Sequence, residues 1–117
     1  MANPNIAAAS QIFGRTELQQ LSTTPTAIAT TTTDRVIKIN ALIATNITTV
    51  DVSVTADIFR SSVATKLVNQ ILIPPNSSIV IVAKENPFYL QEGDALRLSA
   101  SAASSASAVC SFEEFVT

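Results

Sequence analysis

Two carboxylates that flank a glycine are the first residues of this sequence with a spacing suited to chemistry. Glu92 and Asp94 stand on either side of Gly93. Paired carboxylates can perform acid–base catalysis or hold Ca²⁺, but both tasks need further oxygens that converge on the same point. The neighbouring positions lack the alternating acidic residues of a calcium loop. We therefore expect a solvent-exposed turn in which Gly93 adopts a positive φ.

The other reactive residue types also point away from catalysis. The chain has no His, so it cannot assemble a Ser-His-Asp triad or a Cys-His pair from its own residues. Its one Cys, Cys110, lies on an apolar alternating face, and we expect a buried thiol. Arg15, Arg35, Arg60 and Arg97 are scattered, which favours single salt bridges or surface positions over a shared anion site. We predict a non-enzymatic protein with no metal, no cofactor and no small-molecule substrate.

Charge and hydropathy exclude two classes of partner. Seven basic residues against nine acidic ones give a net charge of −2, which argues against nucleic-acid binding. No apolar run approaches the roughly 20 residues that a membrane span requires. The first residues carry no basic flank, so we expect no secretory signal and synthesis in a cytoplasm.

The elements that must position these residues are β-strands. The length of 117 residues fits one domain, 1–117, which we divide into an extended N-terminal arm, 1–11, and a sandwich, 12–117. A short strand is predicted over 12–21, and the Thr run 30–33 suits an extended edge or a loop. Pro25 separates these two stretches.

Period-two alternation dominates from Asp34 onward. One predicted strand points Ile37, Ile39, Ala41 and Ile43 inward, and a short link, 46–49, joins it to the next. That next strand, 50–58, alternates without an error and is expected to bury its four Val and Ile side chains together with Ala56. We expect the link to form a hairpin.

The second half continues the pattern with shorter strands. The stretch 79–83 is apolar on both faces, which predicts a central strand covered on both sides. Further strands are predicted over 67–73, 88–90, 95–102 and from Ala106 onward. Glu113 and Glu114 should point to opposite faces of the last strand, for edge protection or an intersubunit contact. The fold class is all-β: an antiparallel β-sandwich of about eight strands, jelly-roll or immunoglobulin-like.

Five stretches of the sequence resemble a family of small virion structural proteins of tailed bacteriophages, a family common among marine and cyanobacterial phages. They are IPPNSSIVIV at 73–82, NPFYLQEGDALR at 86–97, CSFEE at 110–114, MANPNI at 1–6 and IFGRT at 12–16. Within that group, a small acidic β-sandwich most resembles a capsid decoration, or cement, protein. The resemblance implies a homotrimer on the outer surface of a phage head, bound to the major capsid protein and made in the host cytoplasm.

Three functions remain open from the sequence. The first is capsid decoration, the second is a neck, tail or baseplate component, and the third is a carbohydrate-binding fibre module. The third is weakest, because sugar binding uses exposed aromatic platforms and most of the six aromatic residues are expected to point inward. We predict that partners are contacted through the arm and the start of the first strand, at these residues: Asn3, Pro4, Asn5, Ile6, Ile12 and Phe13.

Overall fold

Two antiparallel sheets packed face to face form the molecule. The computed structural model describes residues 5–117. The strands are β1 (Gln11–Gln20), β2 (Thr26–Thr30), β3 (Arg35–Asn46), β4 (Val52–Arg60), β5 (Val63–Ile73), β6 (Ser78–Val82), β7 (Phe88–Leu90), β8 (Ala95–Ala100) and β9 (Ala106–Val116). The predicted all-β sandwich is confirmed.

The strand order identifies a jelly roll. One sheet has the order β1-β9-β3-β6, with β7 also paired to β3, and the other has the order β2-β8-β4-β5. The chain can be described as one long folded hairpin in which β1 pairs with β9, β2 with β8, β3 with β6 and β7, and β4 with β5. Successive pairs along this hairpin lie in alternate sheets. This arrangement is the double-sheet jelly roll rather than the immunoglobulin-like alternative.

Apolar side chains from both sheets fill the space between them. Leu42, Val54, Leu90, Leu96 and Leu98 are each at most 1% exposed. Burial of a Leu or Val side chain contributes about 1.5–3 kcal/mol, so the contacts between the two sheets stabilise the fold. The inward-facing residues predicted for β8 and for the first part of β9 are confirmed.

The arm and β2 differ from the sequence expectation. Ile6–Ala8 form one 3-10 turn rather than an extended segment, and Gln11 already belongs to β1. The Asn5 side chain accepts a hydrogen bond from the Ala7 amide, which stabilises this turn. A separate strand β2 forms just after Pro25, where only a break was predicted.

A register shift in β3 overturns half of its predicted face. Ile37 and Ile39 point inward as expected, but the pairing with β9 shifts between Ile39 and Ala41. After this bulge the buried residues are Leu42 and Ala44 rather than Ala41 and Ile43. The link that follows crosses to the other sheet, so the predicted hairpin between β3 and β4 is wrong.

Two further strands depart from their predicted environments. The stretch 79–83 was expected to be central, yet β6 is the outer strand of its sheet and Val80 is 57% exposed. In β4 the inward positions Val52, Val54 and Ala56 are confirmed, whereas Val50 is exposed before the strand begins. Among residues 5–117, no helix is long and apolar enough to cross a membrane.

Apart from link 83–87, which lies beside the middle of β3, the links between strands lie at two opposite ends of the sandwich. We call the end formed by links 31–34, 61–62 and 91–94 the charged end, for the ion pairs described below. Links 21–25, 47–51, 74–77 and 101–105 form the other end, which we call the neutral end. Among its link residues, Asp51 is the sole charged one.

Candidate partner-contact site

The Glu92–Gly93–Asp94 turn buries Asp94, while Gly93 stays exposed. Gly93 has φ 84°, as expected from the sequence. Asp94 is completely buried, which corrects the expectation of a solvated turn. Its two oxygens accept hydrogen bonds from Arg60, at 2.7 and 2.5 Å, and from the Gln91 amide, at 2.8 Å. Glu92 instead accepts from the Asp34 amide, so the two carboxylates serve different partners.

The partners of Asp94 determine its titration. Burial alone would raise the pKa of this carboxyl group. The hydrogen bonds from Arg60 and the Gln91 amide, together with the charge of Arg60, outweigh burial, and the pKa of Asp94 lies below its ordinary value. Asp94 is therefore an ionised structural group, and its pairing with Arg60 fastens the turn to the end of β4.

A second ion-pair cluster surrounds Glu114. Arg15 of β1 and Arg35 of β3 each approach one Glu114 oxygen at 3.0 Å, from the strands on either side of β9. The Arg15 guanidinium also lies over the Phe13 ring, 5.4 Å from its centre. Glu114 therefore joins three strands within one chain, and because β9 lies between β1 and β3, the predicted edge protection is wrong.

A third cluster covers the outer face of the β2-β8-β4-β5 sheet. Arg97 donates two hydrogen bonds to Asp57, at 2.9 and 3.1 Å, and stacks on the Phe59 ring at 4.0 Å. Lys66 approaches the same carboxylate at 3.9 Å. Each of the four Arg residues thus forms an intrachain ion pair, and the expectation of single salt bridges is wrong for Arg15 and Arg35, which share Glu114.

Cys110 lies in the core, as predicted. It is completely buried, and burial, with a smaller contribution from the charge of Glu17, raises the pKa of its thiol to about 12. Because the thiolate is the reactive form of cysteine, this residue is unreactive in the folded protein. Among residues 5–117, no cluster of three or more acidic, His or Cys side chains could hold a metal ion.

The structure separates the residues predicted to contact partners. Asn3 and Pro4 lie outside the described residues, and Asn5 caps the exposed 3-10 turn that contains Ile6. Ile12 and Phe13 are both exposed, but as neighbours in a strand they point to opposite faces of the sheet. Ile12 lies beside Phe115 on one face, and Phe13 lies beside Glu114 on the other. These residues therefore do not form one patch.

The sequence prediction missed the apolar residues at the other end of β1. Leu18 is 74% exposed and lies opposite Val109 of β9, which is also exposed. A shallow depression of about 400 Å³ adjoins them and is lined by Gln19, Gln20, Ser107 and Ala108 as well. A Leu surrounded by polar residues gave little sequence signal, because strand 12–21 shows no clean alternation.

Exposure extends along the whole of β1, at the outer edge of its sheet. Of its ten residues, all but Gln19 are exposed on the surface. The strand pairs with β9 on one side, while on its other side no strand formed by residues 5–117 adjoins its backbone groups. Such an edge is the part of a β-sandwich best suited to contact another protein.

Comparison with known proteins supports the fold. No family model matches the sequence, and no match was found among curated proteins. The structure is similar to that of a protein from Bacillus endospore appendages, described as a novel family of disulfide-linked pili. The TM-score is 0.55 with 18% sequence identity, over 98% of each chain. At this identity the likeness concerns the fold alone.

Proposed function

We propose that this protein is a non-enzymatic structural subunit of a phage virion that decorates the outer surface of the head. The partner is the major capsid protein, and the role is to stabilise the shell. The virion resemblance of the sequence supports this proposal, as does a jelly-roll fold, which is common in viral capsid domains. The location, the trimeric state and the partner all come from that resemblance.

One structural observation carries the proposal furthest. The residues that lead into β1 are exposed and end in an open strand edge, with Ile6, Ile12 and Phe13 presenting apolar surface. An exposed segment beside an open edge can dock on a neighbouring protein, where repeated copies on a shell compensate for weak single contacts. We assign the shell contact to the segment that precedes Ser10.

The experiment compares full-length protein with a variant lacking residues 2–9. This deletion retains Ser10, whose amide and hydroxyl donate to the Val116 carbonyl oxygen at 2.8 and 3.1 Å, and leaves β1 intact. Each protein is mixed with phage particles that lack it, and the particles are sedimented. The deletion should fold normally and co-sediment more weakly than the full-length protein.

A matched pair of point variants controls for loss of apolar surface. Ile6→Ser removes an exposed Ile within the proposed contact, and Ile47→Ser removes one at the neutral end. We expect reduced co-sedimentation from the first variant only. Equal co-sedimentation of the deletion and the full-length protein would move the shell contact to links such as 61–62 and 84–87.

Copy number per particle separates the head from the neck, tail or baseplate. A head protein is present in many more copies than a component of those structures, and quantitative electrophoresis of purified particles measures the difference. The similar Bacillus protein belongs to appendages described as disulfide-linked pili. The single Cys110 is buried with a raised pKa, so we do not extend disulfide linkage to this chain.

A further inference from the structure

The open edge of β1 has a defined hydrogen-bonding pattern. β1 and β9 are paired over ten consecutive residues with no shift in register. The Leu21 amide continues this ladder by donating to the Ala106 carbonyl oxygen at 2.8 Å. In an antiparallel ladder the residues that bond to the neighbour alternate along the strand. Odd-numbered residues therefore bond to β9, and the backbone groups of even-numbered residues point outward at the open edge.

The other three sheet edges are short, bulged or carry Lys, features that discourage strand pairing, whereas β1 is long, regular and free of Lys. β2 has only five residues and a register shift between Ala27 and Ala29. β5 carries Lys66 and two register shifts, with Gln70 at φ 52°. β6 is also only five residues long. Short length, bulges and Lys are common protection against pairing between edges, and β1 has none of them.

We infer that β1 pairs antiparallel with β1 of a second copy of this chain, about a two-fold axis at Thr16. Because the free backbone groups belong to even-numbered residues, even-numbered residues of one copy must face even-numbered residues of the other to form hydrogen bonds. Pairing about Thr16 satisfies this requirement and joins residues 12–20 of both copies. It also makes the contact self-complementary, as a two-fold interface must be.

Charge selects this register from its neighbours. With the axis at Thr16, Arg15 faces Glu17 of the second copy, and the symmetry repeats the pair. A shift by two residues in one direction places Arg15 opposite Arg15, and in the other direction Glu17 opposite Glu17. Like charges directly opposite destabilise a sheet. These odd-numbered positions are the non-hydrogen-bonded pairs, in which facing side chains are closest.

Both charged groups are available for this contact. Glu17 is exposed and takes part in none of the ion pairs found among residues 5–117. The Arg15 side chain is 44% exposed although it contacts Glu114 through its Nε atom. A guanidinium group has five N–H donors, so Arg15 can bind both carboxylates.

The apolar residues of β1 also fit the same register. Leu18 lies opposite Gly14 of the second copy, and a Cβ atom at Gly14 would meet no other atom within 4 Å. The Leu18 side chain can therefore cover the glycine and reach Ile12 of the second copy, its diagonal neighbour. Ile12 is 59% exposed in the single chain, and pairing buries the two most exposed apolar side chains of β1.

This inference does not depend on the proposed virion function. It concerns contact between two copies in the absence of particles, and it leaves the segment before Ser10 free for a shell. It predicts even-numbered assemblies of the free protein, whereas the virion resemblance predicts trimers. Failure of self-pairing and failure of shell binding therefore give different results.

Disulfide trapping tests the register. Thr16→Cys places two thiols opposite each other across the axis, about 5.5 Å apart at Cα, which a disulfide can span. Leu18→Cys is the control, because its thiol faces Gly14 of the second copy. Under mild oxidation we expect a covalent dimer from Thr16→Cys and none from Leu18→Cys or the wild type. Equal cross-linking of both variants, or none from Thr16→Cys, would overturn the register.

Sedimentation equilibrium tests the charge pairing. Glu17→Lys places a cation opposite Arg15 twice in each dimer and should weaken dimerisation about tenfold or more. Glu85→Lys makes the same charge change in an exposed turn and should dimerise like the wild type. Circular dichroism verifies that both variants are folded. A wild type that stays monomeric at the highest concentration, or a Glu17→Lys variant with wild-type mass, would contradict the inference.

Discussion

The charged end and the neutral end of the sandwich are held together by different chemistry. Every ion pair found among residues 5–117 lies in the half of the molecule nearer the charged end, including Arg60 with Asp94 and Arg15 and Arg35 with Glu114. The neutral end is held by a buried amide. Asn46 is completely buried, yet all of its polar side-chain atoms have partners.

The Asn46 side chain joins three segments of the neutral end. It donates hydrogen bonds to the carbonyl oxygens of Val50 and Ile73, at 2.7 and 3.0 Å. Its own oxygen accepts from the amide and the hydroxyl of Thr48, at 2.8 and 2.7 Å. An amide has no charge to lose, so pH should act on one end of the sandwich and leave the other unchanged.

The largest effect is expected at the neutral end. Asn46→Ala leaves the buried Ile73 carbonyl oxygen without its donor and the Thr48 amide without its acceptor, and it should destabilise the protein by about 3 kcal/mol. Chemical denaturation at pH 7 and pH 4 should give the same loss at both values. Asn40→Ala is the control on the same strand, since its half-buried amide donates only to Glu113, at 3.1 Å. We expect that variant to lose about 1 kcal/mol or less.

At the charged end, Asp94→Asn should destabilise the protein by about 2 kcal/mol at pH 7, because it removes the charge that Arg60 and the Gln91 amide stabilise. The pKa of Asp94 is lowered in the folded state. Its stabilising contribution is therefore complete above the ordinary carboxyl pKa and is lost as pH falls through the folded value.

The pH dependence of this variant sharpens the contrast between the two ends. The stability difference between wild type and Asp94→Asn should stay constant from about pH 5 to pH 8 and shrink below about pH 4. Denaturation curves at several pH values measure it. A difference that persists unchanged to pH 2 would mean that the ion pair contributes little.

A smaller effect at the charged end concerns backbone geometry. Gly93→Val places a β-branched residue at φ 84° and should cost more than about 1 kcal/mol. Gly14→Val, measured at a protein concentration low enough to keep the chain monomeric, is the matched control, because Gly14 lies in a strand with open space around it. Thermal unfolding should show a lower midpoint for the first variant only. An equal response at both glycines would contradict a special role for the turn.

The smallest predicted effect is a gain. Ser61 and Ser62, which connect β4 to β5, have φ values of 51° and 64°. Two positive φ values in a two-residue hairpin link define a type I′ turn, which favours Asn-Gly. Ser61→Asn combined with Ser62→Gly should stabilise the protein by about 1 kcal/mol. A higher denaturant midpoint with an unchanged slope is the expected result.

Local patterns predicted the strands better than their environments. Alternation located the inward face of β4 at Val52, Val54 and Ala56, and it identified Cys110 as a core residue. It could not reveal the bulge in β3, because the extra residue depends on how β9 pairs with that strand. The apolar β6 was assigned to the centre of a sheet because strand order depends on contacts between segments distant in sequence.

The candidate site was predicted only in part, for a similar reason. The sequence pointed to the first strand through Ile12 and Phe13, but their opposite orientations follow from the register with β9. Asp94 was expected in solvent because its partner, Arg60, is 34 residues away in the sequence. The spacing of Arg15 and Glu17 was visible in the sequence, but it indicates a pairing between two copies only once β1 is known to be an open edge.

The pairing of β1 with β9 also determines when the protein can complete its fold during synthesis. Residues 21–105 separate the two strands, so β1 leaves the ribosome long before its neighbour exists. At about 5–20 residues per second, β1 waits roughly 5–20 s with both of its edges open. During this interval nascent chains can associate through β1. Slow expression at low temperature, or a chaperone that covers the first strand, should therefore raise the yield of native protein.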